Sequence, residues 1–208
     1  DIGGAHVKAA LLDEAGRVLQ VIQEPCPLWK GLSHLEAAID AIMQQWPHAS
    51  LQHAVTMTGE LVDCFVSREQ GVSAIIGTLR NQLNTDKLGI FAGQRFIAAD
   101  KVTPTDTMAI ASANWLASAQ FAAKRRQQAL FVDIGSTTTD ILLIEDHTLK
   151  ALGYSDFERL VSGELLYTGV VRTAVMAIAQ RAVFQGREMG LMAEYFATMA
   201  DVYRLTGD

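Results

Sequence analysis

DIGGAHVKAALL, residues 1–12, and DIGSTTTDILLI, residues 133–144, align over twelve positions without a gap. Asp, Ile, Gly and one Leu are identical, and the last four positions are apolar in both copies. Each copy reads as an acidic residue, a glycine turn and a departing strand, so the chain holds an internal repeat of hairpins. A lone Asp-Ile-Gly is compatible with an ordinary hairpin; two copies in matching contexts point to a shared task. Glycine lets backbone N–H groups approach a phosphate, and successive N–H groups form an anion-binding nest. A carboxylate does not bind phosphate, but it can hold a hydrated Mg²⁺ that does. The second copy adds the hydroxyls of Ser136, Thr137, Thr138 and Thr139 and the carboxylate of Asp140, whereas the first carries Lys8 at the Asp140 position, a point charge for an anion.

Working outward, Val7–Leu12 reads as a strand, Asp13–Gly16 as a turn and Arg17–Gln23 as a second strand. Ser33 with Glu36 predicts a capping box, and Leu35, Ile39, Ile42, Met43 and Trp46 recur at helical spacing behind it. Ala54–Met57 is expected as a strand ending in Thr58-Gly59-Glu60, Val72–Leu83 as a helix and Leu88–Phe91 as extended. Asp106–Ala123 predicts one long, alanine-rich, buried helix. Past the second hairpin, Thr148–Leu152 predicts a third strand and Glu194–Leu205 a helix. Helices interleaved with strands define an α/β chain with a mixed sheet.

Composition narrows the function. Acidic residues outnumber basic ones, 23 to 17, and the formal charge of −6 argues against a nucleic-acid surface. Lys124-Arg125-Arg126, the one compact basic run, reads as a solvated helix end. Two isolated cysteines, Cys26 and Cys64, give neither a disulfide scaffold nor a zinc site, and no histidine pair has metal-ligand spacing. No apolar run approaches the roughly 20 residues of a membrane span, so the cytoplasm is the expected location. The opening at Asp1 reads as a cut into a structural element, with no signal peptide ahead of the first strand.

The two hairpins resemble the first and second phosphate motifs of the actin, sugar-kinase and heat-shock-chaperone superfamily. Further segments, VTMTGELVDCF, ASANW, SGELLYTGVVRT and MAEYFATMADVYRLTGD, are similar to the hydantoinase A/oxoprolinase branch, and within it to tetrahydromethanopterin-linked C1-transfer proteins. That resemblance implies ribonuclease-H-like, actin-like ATPase-type lobes with mixed sheets and a cleft between them. A first lobe at 1–128, shortened at its start, and the opening portion of a second at 129–208 are then expected. It implies a diphosphate-releasing transferase that joins a phenolic, tyrosine- or tyramine-like hydroxyl to an aminomethylfuran-methyl diphosphate, in the making of a methanofuran-type C1 carrier. Gly3, Gly4, Gly135, Ser136, Thr137 and Thr138 would cradle the diphosphate. Asp133 and Asp140, with Asp1 as a third, would hold Mg²⁺, and Lys8 would stabilise the leaving group.

Glu60 follows a strand and a glycine, which suits a general base for the phenol and equally a helix N-terminal charge; Glu164 competes for the same job. Tyr167 and Arg172 are candidates for the substrate's ring or carboxylate. Tyr195 and Trp115 read as core, while His6 and Asn114 have no assigned chemistry. A phosphorylated small molecule is the expected partner, with neither nucleic acid nor membrane, and self-association is left open. The rival reading is an ATP-dependent hydantoinase- or oxoprolinase-like hydrolase, or a small-molecule kinase, in which ATP is the cofactor. A nucleotide-gated binding module is the non-enzymatic alternative.

Overall fold

The computed structural model describes residues 1–46, 51–83 and 85–207. They divide into two compact units, Asp1–Ser118 and Ala119–Asp208.

In the first unit, β1 (His6–Leu12) and β2 (Val18–Pro25) form an antiparallel hairpin. Its turn closes with Gly16 in the left-handed region, while Asp13 accepts the amides of Ala15 and Arg17. A mixed three-stranded sheet follows, in which β3 (His53–Val55) runs parallel to β4 (Leu88–Ala92) and β5 (Arg95–Ala98) returns antiparallel. Two helices cover it, α1 (Ser33–Gln45) and α2 (Arg68–Gln82). Leu35, Ala38, Ile39 and Ile42 on α1, and Val72, Ile75, Ile76 and Leu79 on α2, are buried against Val55, Met57, Leu88 and Ile90. Both quartets follow the i, i+3, i+4, i+7 rhythm of a single helix face. Ile2 pairs antiparallel with Val7 and parallel with Met57, so the residues entering the first turn touch the hairpin on one side and the β3 extension on the other.

Three local expectations change here. Ser33 is the first helical residue, preceded by Leu32, and no side chain caps the helix. The 3-10 turn Leu28–Lys30 and Gly31 have already wound the chain, so the Glu36 amide donates to the Leu32 carbonyl and no capping box forms. α2 begins earlier than expected because Ser67 caps it, accepting from the Gln70 amide at 3.1 Å. The long helix over 106–123 is broken into α3 (Thr107–Ile110) and α4 (Asn114–Ala123). Ala111 is extended and Ser112 takes φ +51°, a conformation that places its hydroxyl on a buried carboxylate, Glu60.

The second unit is built on β6 (Gln128–Ile134) and β7 (Thr139–Glu145), with β8 (Thr148–Leu149) and β9 (Leu165–Leu166) also paired to β7. β8 ends before residue 152 because the amides of Leu152 and Gly153 turn to the Glu164 carboxylate. α5 (Asp156–Ser162) carries a Ser155–Glu158 capping box and stops at Gly163, φ +77°. α6 (Val175–Ile178) leads to a second hairpin, β10 (Arg181–Phe184) with β11 (Arg187–Gly190). The last helix, α7 (Met199–Thr206), starts later than residue 194 because Thr198 and Asp201 form a capping box there. Among the described residues no helix is long and apolar enough to cross a membrane.

Two glycines of α2 make a matched test of this packing. A Cβ on Gly71 would run into the Glu60 backbone, whereas one on Gly77 meets nothing within 4 Å. Gly71→Ala is expected to destabilise the chain by about 1–3 kcal/mol through overpacking. Gly77→Ala should stabilise it by up to about 1 kcal/mol through helix propensity. Urea unfolding of both variants reads the difference, and equal effects would refute the packing.

Candidate functional site

Both Asp-Ile-Gly turns close in the same register. In the first, the Gly3 amide donates to the His6 carbonyl at 3.0 Å, and Asp1 and Lys8 exchange backbone bonds at 2.8 and 3.0 Å. In the second, the Gly135 amide donates to the Thr138 carbonyl at 2.8 Å, and Asp133 pairs with Asp140. Close approach demands glycine at the first turn, where a Cβ on Gly3 would lie 2.9 Å from the His6 oxygen, and favours it at the second, where one on Gly135 would lie 3.3 Å from the Thr138 oxygen.

The segment after β3 packs onto the first turn. The Ile2 amide donates to Thr56 at 2.9 Å, and the amides of Thr58 and Gly59 both donate to the Ile2 carbonyl at 2.9 and 3.0 Å. Thr56 reaches Asp1 with its hydroxyl, 3.4 Å from Oδ1. Gly4 is fixed by its carbonyl, which accepts the Leu28 amide at 3.0 Å. Lys8 and His6 are exposed on the hairpin, on either side of buried Val7.

Next to this turn, Glu60 is 0% exposed. Its Oε1 accepts the Ser112 hydroxyl at 2.7 Å, and its Oε2 has no hydrogen-bond partner among the described residues. Burial pushes its carboxyl up from the ordinary glutamate value, opposed by the Ser112 hydrogen bond and by the charge of Arg68. A carboxyl with one oxygen fixed, the other uncommitted and a raised pKa is equipped to accept or deliver a proton.

The second turn is gripped by the loop after β9. Val170 donates to the Gly135 carbonyl at 3.0 Å, and Val171 and Arg172 donate to the Ser136 carbonyl at 3.1 and 2.9 Å. Gly169 lies so close that a Cβ would come within 2.6 Å of the Gly135 oxygen. Thr139 ties in the same loop, donating to the Thr168 carbonyl at 2.6 Å. Ser136 is exposed, and Thr137 and Thr138 are half-buried. The loop thus brings Arg172 to the turn, with its side chain exposed. Tyr167 follows β9 directly and is also exposed. Tyr195, expected in the core, is 62% exposed and donates its hydroxyl to the Arg172 carbonyl. Trp115 is buried as expected.

Two acidic candidates have commitments that the sequence did not suggest. Asp140 is half-buried and its Oδ1 is held by the guanidinium of Arg159, itself 2% exposed. Burial pushes the Asp140 carboxyl up, Arg159 opposes this, and the nearby charges of Asp133 and Asp156 add to the rise. Glu164 accepts the amides of Leu152 and Gly153 at 2.8 and 3.0 Å and the Ser162 hydroxyl at 2.9 Å. Both of its oxygens accept hydrogen bonds, and through Leu152 and Gly153 it fixes the 152–153 bend. Among the described residues no group of three or more His, Cys, Asp or Glu side chains is gathered as a protein-only metal cage would need.

Sequence reasoning missed Arg159 and Ser112. Ser112 lies inside the recognised segment ASANW, but its pairing spans 52 positions. Nothing in the spacing of DFERLVS singles out Arg159.

Residues 52–208 match the hydantoinase/oxoprolinase family, and the chain belongs to it. The chain is also similar to a curated protein of Methanocaldococcus jannaschii named (4-{4-[2-(gamma-L-glutamylamino)ethyl]phenoxymethyl}furan-2-yl)methanamine synthase, with 30% identity over 203 residues. That alignment covers 97% of this chain and 59% of the relative, so the chain spans well under two thirds of the relative's length. A protein of the same name from Methanococcus vannielii is 38% identical over 76 residues, 36% of this chain and 34% of that protein.

Glu60 makes the site's titration measurable. Its folded pKa lies above its unfolded value, so between the two the native state binds the extra proton and stability falls as pH rises. Above the folded pKa the loss is complete. Glu60→Gln should flatten this descending limb in urea unfolding run from pH 4.5 upward. A limb that persists unchanged in the variant would assign it to other groups.

Proposed function

We propose that this chain carries the phosphate-gripping part of an ether-forming transferase: a phenolic hydroxyl displaces diphosphate from an aminomethylfuran-methyl diphosphate. The observation that carries the reading is the pair of Asp-Ile-Gly turns in one register, each fixing glycine backbone where an anion can approach closely. The likeness to proteins named as synthases of a phenoxymethyl-furan amine supports it, since that name describes the expected ether product. The chain is read as a ribonuclease-H-like, actin-like first lobe at 1–128 and the start of a second at 129–208, and the reaction as cytoplasmic, with small molecules as its partners.

In this reaction the phenolic oxygen forms a bond to the furfuryl carbon, the carbon–oxygen bond to diphosphate breaks, and diphosphate leaves with the electron pair. The furan ring spreads the positive charge that develops on carbon, so catalysis consists mainly of stabilising the departing anion. The Gly3 and Gly135 amides are spent within their own turns, so the donors offered to anionic oxygens are Gly4 in the first turn and Ser136, Thr137 and Thr138 in the second, and Lys8 supplies a positive charge opposite Asp1. Glu60 takes the phenolic proton on Oε2, the oxygen left uncommitted. Arg172, carried to the second turn by its own backbone bond, meets the acceptor's carboxylate, and Tyr167 its ring.

Mg²⁺ fits this donor set in a limited way. Asp133 is exposed beside the turn and Asp140 is opposite it, but Arg159 already occupies one Asp140 oxygen. Such a site suits an ion that keeps most of its waters and binds through one or two carboxylates plus phosphate oxygens. Bound there, Mg²⁺ would neutralise charge on the leaving diphosphate.

Two measurements test the proposal. The full-length protein should release diphosphate from a furfuryl-type diphosphate when given a phenolic acceptor, without consuming ATP. Lys8→Ala should lower kcat more than it changes KM, because the charge acts on the leaving group as it departs. Strict ATP dependence with ADP as product would overturn the reading in favour of the hydrolase chemistry that the family name also allows, or of a small-molecule kinase. In titration calorimetry, Asp133→Asn should weaken Mg²⁺-diphosphate binding more than Asp140→Asn; unchanged affinity in both would remove these residues from the site.

A further inference from the structure

Ser112 sits in the break between α3 and α4 with φ +51°, a left-handed conformation that residues other than glycine seldom take. Its neighbours are committed on both sides. The Ala111 amide donates to the Thr107 carbonyl, and the Ala113 carbonyl accepts the amides of Leu116 and Ala117. Ala111 and Ala113 are also buried. The Ser112 hydroxyl is therefore aimed by a fixed backbone, and it meets Glu60 Oε1 at 2.7 Å. Backbone strain held at one residue that touches a buried carboxyl points to a task for that residue.

Glu60 is held as firmly from its own side. It lies in the 3-10 turn Gly59–Leu61, whose first amide donates to the Ile2 carbonyl of the first Asp-Ile-Gly turn at 3.0 Å. Opposite, α2 presses on the Glu60 backbone at Gly71, where a Cβ would come within 2.3 Å of the Glu60 carbonyl oxygen. Two fixed segments, 52 positions apart, thus meet at this side-chain hydrogen bond.

The charges around Glu60 leave that bond a large share of the control. Burial disfavours the ionised carboxyl; the Ser112 hydroxyl, the amides of Glu60 and Ser112, and the charge of Arg68 on α2 favour it. Residues 107–123, which bring Ser112, contain no titratable side chain. The first turn meets the Gly59–Leu61 segment through Ile2 and Gly3, both uncharged. Asp63 and Cys64, the next titratable residues along the chain, are exposed.

We propose that Ser112 is the positioning residue of Glu60: its hydroxyl claims Oε1 and steadies the carboxylate, so that the proton the carboxyl gains is carried on Oε2. A hydroxyl hydrogen directed at Oε1 competes with a proton on that oxygen and is compatible with one on the other. The catalytic meaning of this hold rests on the reading of Glu60 as the acceptor of the phenolic proton.

Carbon-13 NMR of the Glu60 carboxyl, identified by its loss in Glu60→Gln, reads the hold without turnover. Ser112→Gly removes the hydroxyl and keeps a backbone suited to the left-handed region. It should move the Glu60 midpoint upward by about one pH unit, as expected for losing a hydrogen bond to a charged group. Ala111→Gly loosens the same joint with the hydroxyl kept, and should leave the midpoint in place. An unmoved midpoint in Ser112→Gly, or an equal shift in both variants, would overturn the proposal. In the full-length protein, the rising limb of diphosphate release against pH should move upward with the NMR midpoint in Ser112→Gly, with KM at the plateau unchanged. A midpoint that moves while the limb stays would uphold the hold of Ser112 on Glu60 and overturn Glu60 as the base.

Discussion

The hydrogen bond from the third to the sixth residue of each Asp-Ile-Gly turn is the constraint on which the rest of the site depends. With that bond made, the first residue must pair with the eighth, which sets Asp1 against Lys8 and Asp133 against Asp140. The carbonyl beneath the turn leaves no room for a Cβ at Gly3 and crowds one at Gly135. A second glycine then approaches each turn from a distant segment: Gly59 lies against Gly3, and Gly169 against Gly135. In both places the arriving segment spends its backbone amides on carbonyls of the turn, from Thr58 and Gly59 to Ile2 and from Val170 to Gly135. The repeat is thus a repeat of packing as well as of sequence. Buried backbone carbonyls in so tight a turn must find donors, and loops that come close enough to provide them carry glycine at the contact.

On this common frame the two copies differ in charge. The eighth position of the first is a lysine, exposed and opposite an acid. In the second it is an aspartate whose partner, Arg159, lies almost wholly buried. A buried guanidinium is costly unless its charge is answered, so Asp140 and Arg159 stabilise one another's ionised forms against the burial that disfavours both. Asp133 and Asp140 therefore do not form an equal pair of acids. One is exposed beside the turn, and the other is anchored to the protein beneath it.

The hairpins were legible because their signal is local: an acid, a glycine, an alternating run, repeated. The helix faces on α1 and α2 were legible for the same reason. The helix expected over 106–123 was not, since alanine-rich propensity is a weak preference and the need of buried Glu60 for a donor outweighs it. Ser33 has the right residues for a cap but stands one position inside a helix already started by Leu28–Lys30. Arg159 was invisible because its meaning lies in Asp140, across 19 positions and a strand pairing. At Ser112 and Arg159 what sequence reading lost was a polar commitment made over a long separation.

Glu60 and Glu164 show how such commitments separate residues that look alike in sequence. Each follows a glycine, each is buried, and each was a candidate for the same proton. Glu164 accepts three hydrogen bonds shared between its two oxygens, two of them from the amides of the bend that follows β8 and one from the Ser162 hydroxyl. Glu60 receives a side-chain hydroxyl from a serine held in a left-handed conformation, and its second oxygen is buried with no partner among the described residues. A fully satisfied buried carboxylate is a structural element; a half-satisfied one raises the energy of the charged form and lowers that of any state in which a proton is supplied. That asymmetry follows from hydrogen-bond count and burial alone, and it is why the proton of the proposed reaction is assigned to the first unit and the fixing of a loop to the second.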